Sequence, residues 1–359
     1  METDVRNSPS SSGASRASVL GLLREVSRSF YLTLRVLPRA VRDQIGLAYL
    51  LARTSDTVAD TEIVAAEKRI DALHALLETI LGLTALPLNF GELAVNQSSS
   101  AERKLLERAT ESIALLSTFD PRDQAEIRAL LTVIVGGQEL DLKRFAGADA
   151  KNLVALAADA DLDDYTYRVA GCVGEFWTRL CRRHLFPRAQ VDESFLATRG
   201  VRFGKGLQLV NILRDLPRDL RQGRCYLPTD KLAEVKLAPR DLLDTGSEAK
   251  LRPLYNYYLD RADSHLAAGW DYTNALPRNQ FRVRLACAWP VLIGVRTTRQ
   301  LRSNRILDPA QKIKVSRGEI RAIMARSVLV WPFEKLWQAQ FLRARDQGAN
   351  AVDSGQGFH

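Results

Sequence analysis

The chain has 359 residues and a mass of 40.1 kDa, with 46% hydrophobic and 26% charged residues. This composition is typical of a folded globular protein and excludes the disordered and fibrous classes. The net charge of +9 fits three kinds of partner, namely nucleic acid, anionic lipid or a polyanionic substrate. Because no helix-turn-helix, zinc-finger or RNP signature accompanies the charge, we predict no nucleic-acid partner.

Cysteines and apolar runs restrict the compartment. The four cysteines are scattered without a CxxC motif, and the N-terminus does not resemble a signal peptide, which together favour a reducing cytoplasm. The longest apolar runs, 285–295 and 129–137, are shorter than the roughly 20 residues of a membrane-spanning helix. We therefore predict a cytoplasmic protein with no transmembrane anchor, in which any membrane contact is peripheral.

Taken in chain order, the predicted elements are helices. Residues 1–17 are rich in Ser, Asn and Gly and predict a flexible tail, as do residues 346–359. Between them, apolar residues recur at intervals of three and four, as at 70–81, while strand-like alternation is scarce. Proline, glycine and polar clusters place breaks at 84–100, 119–123, 145–151, 221–230, 245–250 and 276–279. The pattern predicts an all-α fold in one domain spanning 18–345.

Two aspartate pairs, each with a spacing of four residues, stand on predicted helices. Asp56 and Asp60 occur in RTSDTVAD, and Asp215 and Asp219 occur in QLVNILRDLPRD. Residues i and i+4 share one face of a helix, so each pair aims two carboxylates in one direction. A single pair of this kind is usually solvated surface charge. Its repetition favours a functional role.

Each pair continues a polar stripe at helical spacing. Tyr49 and Arg53 precede the first pair, and Gln208 and Asn211 precede the second. Because the intervening residues are largely apolar, the stripes can face a cavity instead of solvent. Two such helices facing each other would form a hard-oxygen site that suits Mg²⁺ when substrate phosphates complete its coordination. The stripes therefore predict a diphosphate ligand and four metal-binding residues: Asp56, Asp60, Asp215 and Asp219.

A diphosphate held through Mg²⁺ would ionise readily at an allylic carbon, since the metal neutralises the leaving group. Arg53 and Arg214, and less directly Lys205, Arg218 and Arg224, are candidates for charge-assisted bonds to phosphate oxygens. The resulting cation needs an apolar pocket with aromatic faces. Candidate lining residues are Phe30, Tyr49, Tyr165, Tyr167, Phe203 and Trp289.

Four segments resemble the squalene/phytoene synthase family in content, order and separation. They are SRSFYLTLRVLP (27–38), YLLARTSDTVAD (49–60), YTYRVAGCVGEFW (165–177) and GLQLVNILRDLPRDLRQGRCYLP (206–228). The resemblance covers about residues 20 to 330. It implies head-to-head condensation of two prenyl diphosphates in a single-domain, all-α isoprenoid-synthase bundle with a central cavity, where both aspartate motifs bind magnesium diphosphate.

The resemblance also implies roles for individual residues. Tyr165 matches the family tyrosine implicated in proton handling, and the nearby Tyr167 remains an alternative. Arg53 and Arg214 are the candidate catalytic cations. By the resemblance, the residues expected to contact substrate are Ser27, Ser29, Tyr49, Arg53, Gln208 and Asn211. The aromatic ring of Phe30 and the cation Arg224 are added to these from their residue types and positions.

The segments LACAWPVLIGVRTTRQL (285–301) and KIKVSRGEI (312–320) look like the squalene synthase version of the family. In that version a basic segment helps to bind NADPH, and the candidate residues here are Arg28, Arg53, Arg214, Lys314 and Arg317. The implied activity joins two farnesyl diphosphates through presqualene diphosphate and reduces the product to squalene. One alternative stops at presqualene diphosphate, and another makes phytoene or dehydrosqualene without a reductant. A different class of alternative is a non-catalytic basic helical protein that binds lipid or nucleic acid.

The chain departs from the family pattern at two places. Many squalene synthases carry further acidic residues in the first motif, where this chain has Ala59 and Thr61. In the second motif Pro217 stands between the aspartates, removes one helical hydrogen bond and is expected to kink the turn.

Overall fold

The fold is known from a computed structural model that describes residue 19 and residues 21–346, without the side chains of Arg28, Ser29 and Asp346. The tail predicted at 1–17 lies outside these residues, as does the tail predicted at 346–359 except for the backbone of Asp346. Contacts group the chain into two compact units that divide between Leu142 and Lys143. The single domain expected over 18–345 stays a prediction, and the units are described separately.

The first unit is helical. Residues 21–26 form one helical stretch. The following helices are α1 (Arg28–Val36), α2 (Arg39–Ala59), α3 (Ala66–Leu81), α4 (Glu92–Val95), α5 (Ser100–Glu107), α6 (Ala109–Leu116) and α7 (Pro121–Arg144), whose last two residues belong to the second unit.

Apolar periodicity builds the core of the first unit. In α3 the side chains of Leu73, Leu76 and Ile80 are 0–1% exposed, as their helical spacing predicts. The helix ends at Gly82, whose φ of 80° is a left-handed conformation that glycine adopts without strain. In α2, Leu50 and Leu51 are fully buried.

The second unit contains the longest helices and the only β-structure among the described residues. Its elements are β1 (Val154–Ala155), α8 (Asp159–Thr166), a π-helix (Tyr167–Gly171), α9 (Cys172–Leu185), α10 (Glu193–Arg221), β2 (Arg224–Cys225), α11 (Thr229–Glu234), two 3₁₀-helices (Pro239–Leu243 and Thr245–Ser247), α12 (Glu248–Ala275), α13 (Phe281–Ser303), α14 (Arg317–Val330) and α15 (Glu334–Asp346). The strands form one parallel pair of two residues each. The all-α prediction is confirmed.

Glycines allow α9 and the π-helix to pack closely on α10. A Cβ atom on Gly174 would lie 2.0 Å from the carbonyl oxygen of Gly200, and one on Gly204 would lie 2.1 Å from that of Ala170. No side chain larger than hydrogen fits at these contacts without a backbone shift. This close approach fixes the π-helix against α10.

Irregular segments that were not among the predicted breaks include 60–65, 186–192 and 304–316. The longest of these, 304–316, contains the apolar residues Ile306, Leu307 and Val315. All three are buried, so the segment packs its apolar side chains without regular backbone structure. Across residues 21–346, no helix has both the length and the hydropathy required to cross a bilayer.

Candidate active site

The first polar stripe lies on α2 and at its end. Tyr49, Arg53 and Asp56 are within the helix, while Asp60 is the C-cap residue and is exposed. The backbone N–H of Asp60 donates to the carbonyl oxygen of Asp56 at 2.8 Å, so the helical turn is complete between the two aspartates. Both carboxylates therefore belong to the last turn of one helix.

Asp56 is the most perturbed group of this stripe. Burial raises the pKa of its carboxyl group to about 6, and repulsion by Asp60 adds to the shift. Arg53 and Gln138 offset part of it. The side chain nevertheless keeps 48% of its exposure, so the carboxylate lies in a recess that solvent can enter. A carboxylate that is costly to ionise gains from a bound cation.

Arg53 is held by a residue that the sequence pattern did not reveal. Its guanidinium contacts Glu102 on α5 at 2.5 Å, whereas its closest nitrogen lies 4.0 Å from Asp56. The Nε atom of Arg53 is buried and has no hydrogen-bond partner. Arg53 therefore retains hydrogen-bonding capacity for a further acceptor.

Gln138 on α7 adds an amide to the recess. Its Nε2 donates to Oδ1 of Asp56, while its Oε1 is buried and lacks a hydrogen-bond partner. A buried carbonyl oxygen without a donor is costly unless something else occupies it. The carboxylates of Asp56 and Asp60 and the Oε1 atom of Gln138 are oxygen donors, which is the donor type that a hard cation prefers. No group of three or more His, Cys, Asp and Glu side chains suited to a metal occurs in the part of the chain that is described.

The start of α1 contributes to the same unit. Ser27 caps the helix by accepting a hydrogen bond from the backbone of Phe30 at 3.3 Å, and Phe30 stacks on Tyr49 with ring centroids 4.1 Å apart. Burial raises the pKa of Tyr49, and a hydrogen bond with Ser27 opposes that shift. Ser27, Phe30 and Tyr49 thus form one cluster. The predicted side chains of Arg28 and Ser29 lie outside the described atoms.

The second stripe lies entirely on α10, which continues through Pro217 to Arg221. The helix is continuous at Pro217, and the kink expected there stays a prediction. Gln208 and Asn211 are half-buried, and within residues 21–346 neither side chain makes a hydrogen bond to protein. These two amides are available to a ligand.

Arginines neutralise the second aspartate pair. Arg214 binds Asp215 through two hydrogen bonds of 2.8 Å, and Arg218 contacts Asp219 at 3.1 Å and Asp215 at 3.7 Å. Asp219 is only 8% exposed, and this burial raises its pKa to about 6 although Arg218 and Arg224 oppose the shift. Three arginine side chains, Arg214, Arg218 and Arg224, therefore lie close to this aspartate pair.

Arg224 and Tyr165 are placed by the short parallel strand pair and its neighbours. Arg224 begins β2, where it pairs with Val154. Two residues later, the Tyr226 ring stacks on Tyr165 at 4.8 Å, with their hydroxyl oxygens 3.4 Å apart. Sequence reasoning did not single out Tyr226, although it lies within the quoted RCYLP segment.

Tyr167 has different surroundings, because it starts the π-helix. Its hydroxyl group donates to Glu175 at 3.4 Å, and the Lys205 ammonium lies 5.8 Å from its ring centre. Lys205 itself pairs with Asp163 at 2.7 Å. The two tyrosines therefore have different surroundings: Tyr165 stacks on another tyrosine, and Tyr167 contacts the carboxylate of Glu175.

The remaining candidates lie elsewhere in the second unit. Phe203 packs near Tyr272 at 6.3 Å, and Trp289 is 6% exposed. Lys314 is exposed in the irregular segment, and Arg317 is the exposed first residue of α14. No contact among the described residues joins Lys314 or Arg317 to Arg214.

Comparison with known proteins decides the family. The sequence model of "Squalene/phytoene synthase" matches residues 23–319, which is most of the chain. The chain belongs to the squalene/phytoene synthase family. Members of this family are prenyltransferases that act on prenyl diphosphates and condense isoprenoids head to head.

Two curated members illustrate the range. A presqualene diphosphate synthase of Zymomonas mobilis is 27% identical over 305 residues, covering 84% of this chain and 89% of its own. A bifunctional lycopene cyclase/phytoene synthase of Arthroderma gypseum is 26% identical over 307 residues, covering 82% of this chain and 48% of its own. The chain spans about half the length of that bifunctional relative.

Solved structures support the fold of this family member. The ligand complex of TcSQS has a TM-score of 0.75 and 23% identity, with 95% of this chain and 94% of that chain covered. Squalene synthase HpnC from Alicyclobacillus acidocaldarius has a TM-score of 0.57 and 20% identity, with 82% and 97% covered. At these identities the likeness establishes the fold.

Proposed function

We propose that this family member is a squalene synthase that condenses two farnesyl diphosphates and reduces the product. The observation that carries the condensation is the doubled stripe: one helix of each unit presents an aspartate pair, with a tyrosine and an arginine at the first pair and with arginines and amides at the second. Loss of pyrophosphate and a proton would join the two substrates as presqualene diphosphate, which contains a cyclopropane ring. Loss of the second pyrophosphate, rearrangement and hydride addition would give squalene.

Each aspartate pair is proposed to hold a diphosphate with the help of Mg²⁺, which when bound neutralises the leaving pyrophosphate. Asp56 with Asp60, and Asp215 with Asp219, would supply carboxylate oxygens. Gln138 could add its partnerless Oε1 at the first pair. Each pair offers fewer donors than an octahedral ion takes, so diphosphate oxygens and water would complete the coordination.

Other side chains would contact the diphosphates directly. Arg214 and Arg224 lie beside the second pair, and Arg53 lies beside the first. Guanidinium groups bind phosphate oxygens in a planar, two-point geometry that suits this role. The amides of Gln208 and Asn211 are proposed to donate to the same ligand. At the first unit, Ser27, Ser29, Phe30 and Tyr49 are proposed to contact substrate.

Tyr165 is proposed to handle the proton that is lost when the cyclopropane ring forms. Its hydroxyl lies 3.4 Å from that of Tyr226, which gives the proton a second oxygen to share. Tyr226 is two residues from Arg224 on the segment that follows the second pair. Tyr167 instead contacts Glu175, which makes it the weaker candidate.

NADPH is the proposed hydride donor. Lys314 and Arg317 are exposed and form no ion pair within the described part of the chain, so both cations are available to the phosphates of the dinucleotide. Arg28, Arg53 and Arg214 remain further candidates for that role. We also propose that the protein works in the cytoplasm.

A second candidate function ends at presqualene diphosphate. The Zymomonas mobilis relative carries that activity in its name and matches this chain over 89% of its own length. Nothing in the two aspartate stripes distinguishes the candidates, because both enzymes need the same first condensation. The third possibility, phytoene or dehydrosqualene formation, differs in using no reductant.

Product analysis separates these functions. Purified full-length protein is incubated with farnesyl diphosphate and Mg²⁺, with and without NADPH, and the lipid products are identified by mass spectrometry. We expect squalene only when NADPH is present. Presqualene diphosphate that accumulates despite NADPH supports the second candidate, and a C40 product from geranylgeranyl diphosphate supports the third.

The double substitution Lys314→Ala with Arg317→Ala tests the reductive step. We expect it to preserve presqualene diphosphate formation and to slow squalene formation at limiting NADPH. Lys312→Ala is the matched control, because Lys312 is an exposed cation of the same segment. Unchanged dependence on NADPH concentration in the double variant would overturn the cofactor assignment.

A further inference from the structure

The last two helices form a surface that, apart from Arg317 at the start of α14, the proposed chemistry does not use. We call it the hairpin surface, and it comprises the exposed side chains of α14, α15 and the turn between them. Its large apolar members are Val328, Leu329, Phe333, Leu336 and Leu342, which are 41–73% exposed. Scattered exposed apolar residues are ordinary, but a concentration within 15 residues is characteristic of a binding surface.

The inner side of the hairpin is firmly packed, so its outer apolar residues do not reflect a loosely folded segment. Trp337 is 1% exposed, stacks on Trp270 at 5.3 Å and donates its indole N–H to Asn274 at 2.8 Å. Between the two helices, the hydroxyl of Ser327 bonds to Gln340 at 2.9 Å. The hairpin is anchored to α12 while its outer side faces solvent.

The hairpin is also basic. Residues 317–346 contain six Lys and Arg against three Asp and Glu, a net charge of +3 out of the +9 of the whole chain. Arg326 on α14 and Arg343 on α15 border one groove, and neither forms an ion pair with any described residue. Arg321, Lys335 and Arg345 are also exposed. The hairpin therefore presents cations that nothing within the described protein neutralises.

Apolar and basic side chains are neighbours along the hairpin. Arg326 and Leu329 are three residues apart and so are neighbours on α14, and Lys335 and Leu336 are adjacent on α15. A bilayer surface favours this combination, with apolar side chains in the interfacial region and cations at the headgroups. Each Lys or Arg near an anionic leaflet strengthens binding about fivefold.

We propose that the hairpin surface docks this protein on an anionic lipid bilayer, with Leu329 and Phe333 inserted at the headgroup level and Arg326 and Arg343 bound to lipid phosphates. The proposal is independent of the reaction catalysed, because none of these residues belongs to the aspartate stripes. It assigns the exposed arginines of the hairpin to a lipid partner.

Vesicle co-sedimentation of the full-length protein tests the proposal, using phosphatidylcholine vesicles with and without phosphatidylserine. We expect binding only with phosphatidylserine, weakened by salt. Leu329→Ser with Phe333→Ser should lower the partition coefficient on the order of tenfold. Ile63→Ser with Leu83→Ser is the matched control, since these residues are 76% and 75% exposed on the other unit, and it should bind like the wild type.

A second pair of variants tests how much the arginine charges contribute to vesicle binding. Arg326→Gln with Arg343→Gln should lower binding to phosphatidylserine vesicles on the order of tenfold and reduce its salt dependence. Arg39→Gln with Arg122→Gln, at exposed positions of the first unit, is the control. Circular dichroism and turnover of farnesyl diphosphate in solution should be unchanged in all four variants.

A fluorescent label on an introduced cysteine gives a direct readout of insertion into the bilayer. All four native cysteines are buried, so a Leu329→Cys variant can be labelled selectively with a polarity-sensitive fluorophore. We expect a blue shift on addition of phosphatidylserine vesicles and none for a label at Ile63→Cys. Three results would overturn the proposal: no vesicle binding by the wild type, equal binding by the hairpin variants, or a wild-type dimer that Leu329→Ser with Phe333→Ser dissociates.

Discussion

The two aspartate pairs have the same spacing, but arginine side chains lie closer to the second pair than to the first. At the first, Asp56 contacts an amide, its nearest arginine is 4.0 Å away, and that arginine is paired with Glu102. At the second, Asp215 accepts two hydrogen bonds from Arg214 and lies 3.7 Å from Arg218. A shared i, i+4 pattern therefore does not specify a shared charge balance.

Burial raises the pKa of one carboxyl group in each pair, Asp56 and Asp219, to about 6, so the pairs differ mainly in the cations that already surround them. Asp56 bears a raised pKa because burial and Asp60 disfavour its charge, so a cation relieves a cost that is present without ligand. Asp215 already has its counter-charges, and an incoming magnesium diphosphate must share or displace Arg214. We expect the first stripe to respond more strongly to a bare cation and the second to respond to the complete metal diphosphate.

The largest expected effect comes from removing one carboxylate from each stripe. Asp56→Asn and Asp215→Asn should each slow pyrophosphate release from farnesyl diphosphate on the order of 10³-fold, because each loses transition-state charge stabilisation. Their stabilities without metal should differ. Asp215→Asn leaves Arg214 without its partner and should cost about 1 kcal/mol, whereas Asp56→Asn removes repulsion with Asp60 and should cost nothing.

Pyrophosphate release assays and urea denaturation in EDTA check both parts. Near wild-type turnover in either variant would contradict the metal assignment. Equal destabilisation of the two variants would contradict the electrostatic contrast.

A second contrast between the units is the effect of one histidine in each, His265 and His74, on the stability of the protein at acid pH. Burial, with Arg202, Arg261 and Lys205 facing it, lowers the pKa of His265 to about 4 despite the nearby Asp163. In the unfolded chain this histidine binds a proton below about pH 6.5, whereas in the folded chain it does so only near pH 4. The contribution of neutral His265 to the free energy of unfolding is therefore complete above about pH 6.5 and is lost as the pH falls towards 4.

Between pH 7 and 5 the expected loss is about 1 to 2 kcal/mol from this side chain. His265→Gln should flatten that part of the profile while still accepting a hydrogen bond from Arg202. His74→Gln is the control in the first unit, because His74 is 48% exposed. Urea denaturation at each pH measures the effect, and equal profiles for the wild type and His265→Gln would refute it.

The smallest expected effect tests how Arg53 is restrained. Glu102→Gln should release the guanidinium to pair with Asp56, where it competes with Mg²⁺ and raises the metal concentration for half-maximal rate about threefold to tenfold. Glu107→Gln, an exposed residue on the same helix, is the control. A Mg²⁺ titration of the initial rate gives the answer, and a lower Mg²⁺ requirement in Glu102→Gln would reverse our view of this ion pair.

Local pattern predicted more of the fold than of the site. The periodicity of α3 placed Leu73, Leu76 and Ile80 in the core, since a helix face is set by spacing alone. The irregular segment 304–316 was not predicted, because tertiary contacts, which the local sequence does not show, bury its apolar residues. The π-helix was also unpredicted, as it depends on how its glycine packs against α10.

The sequence by itself determined the helical class, the two carboxylate stripes and the family, because each depends on residues close in the chain. Only the tertiary structure decided which distant groups meet them. Gln138 reaches Asp56 from 82 residues away, Glu102 reaches Arg53 from 49, and Tyr226 reaches Tyr165 from 61. Burial and neighbouring charge set a carboxylate's pKa, and both arise from long-range packing that no local spacing encodes.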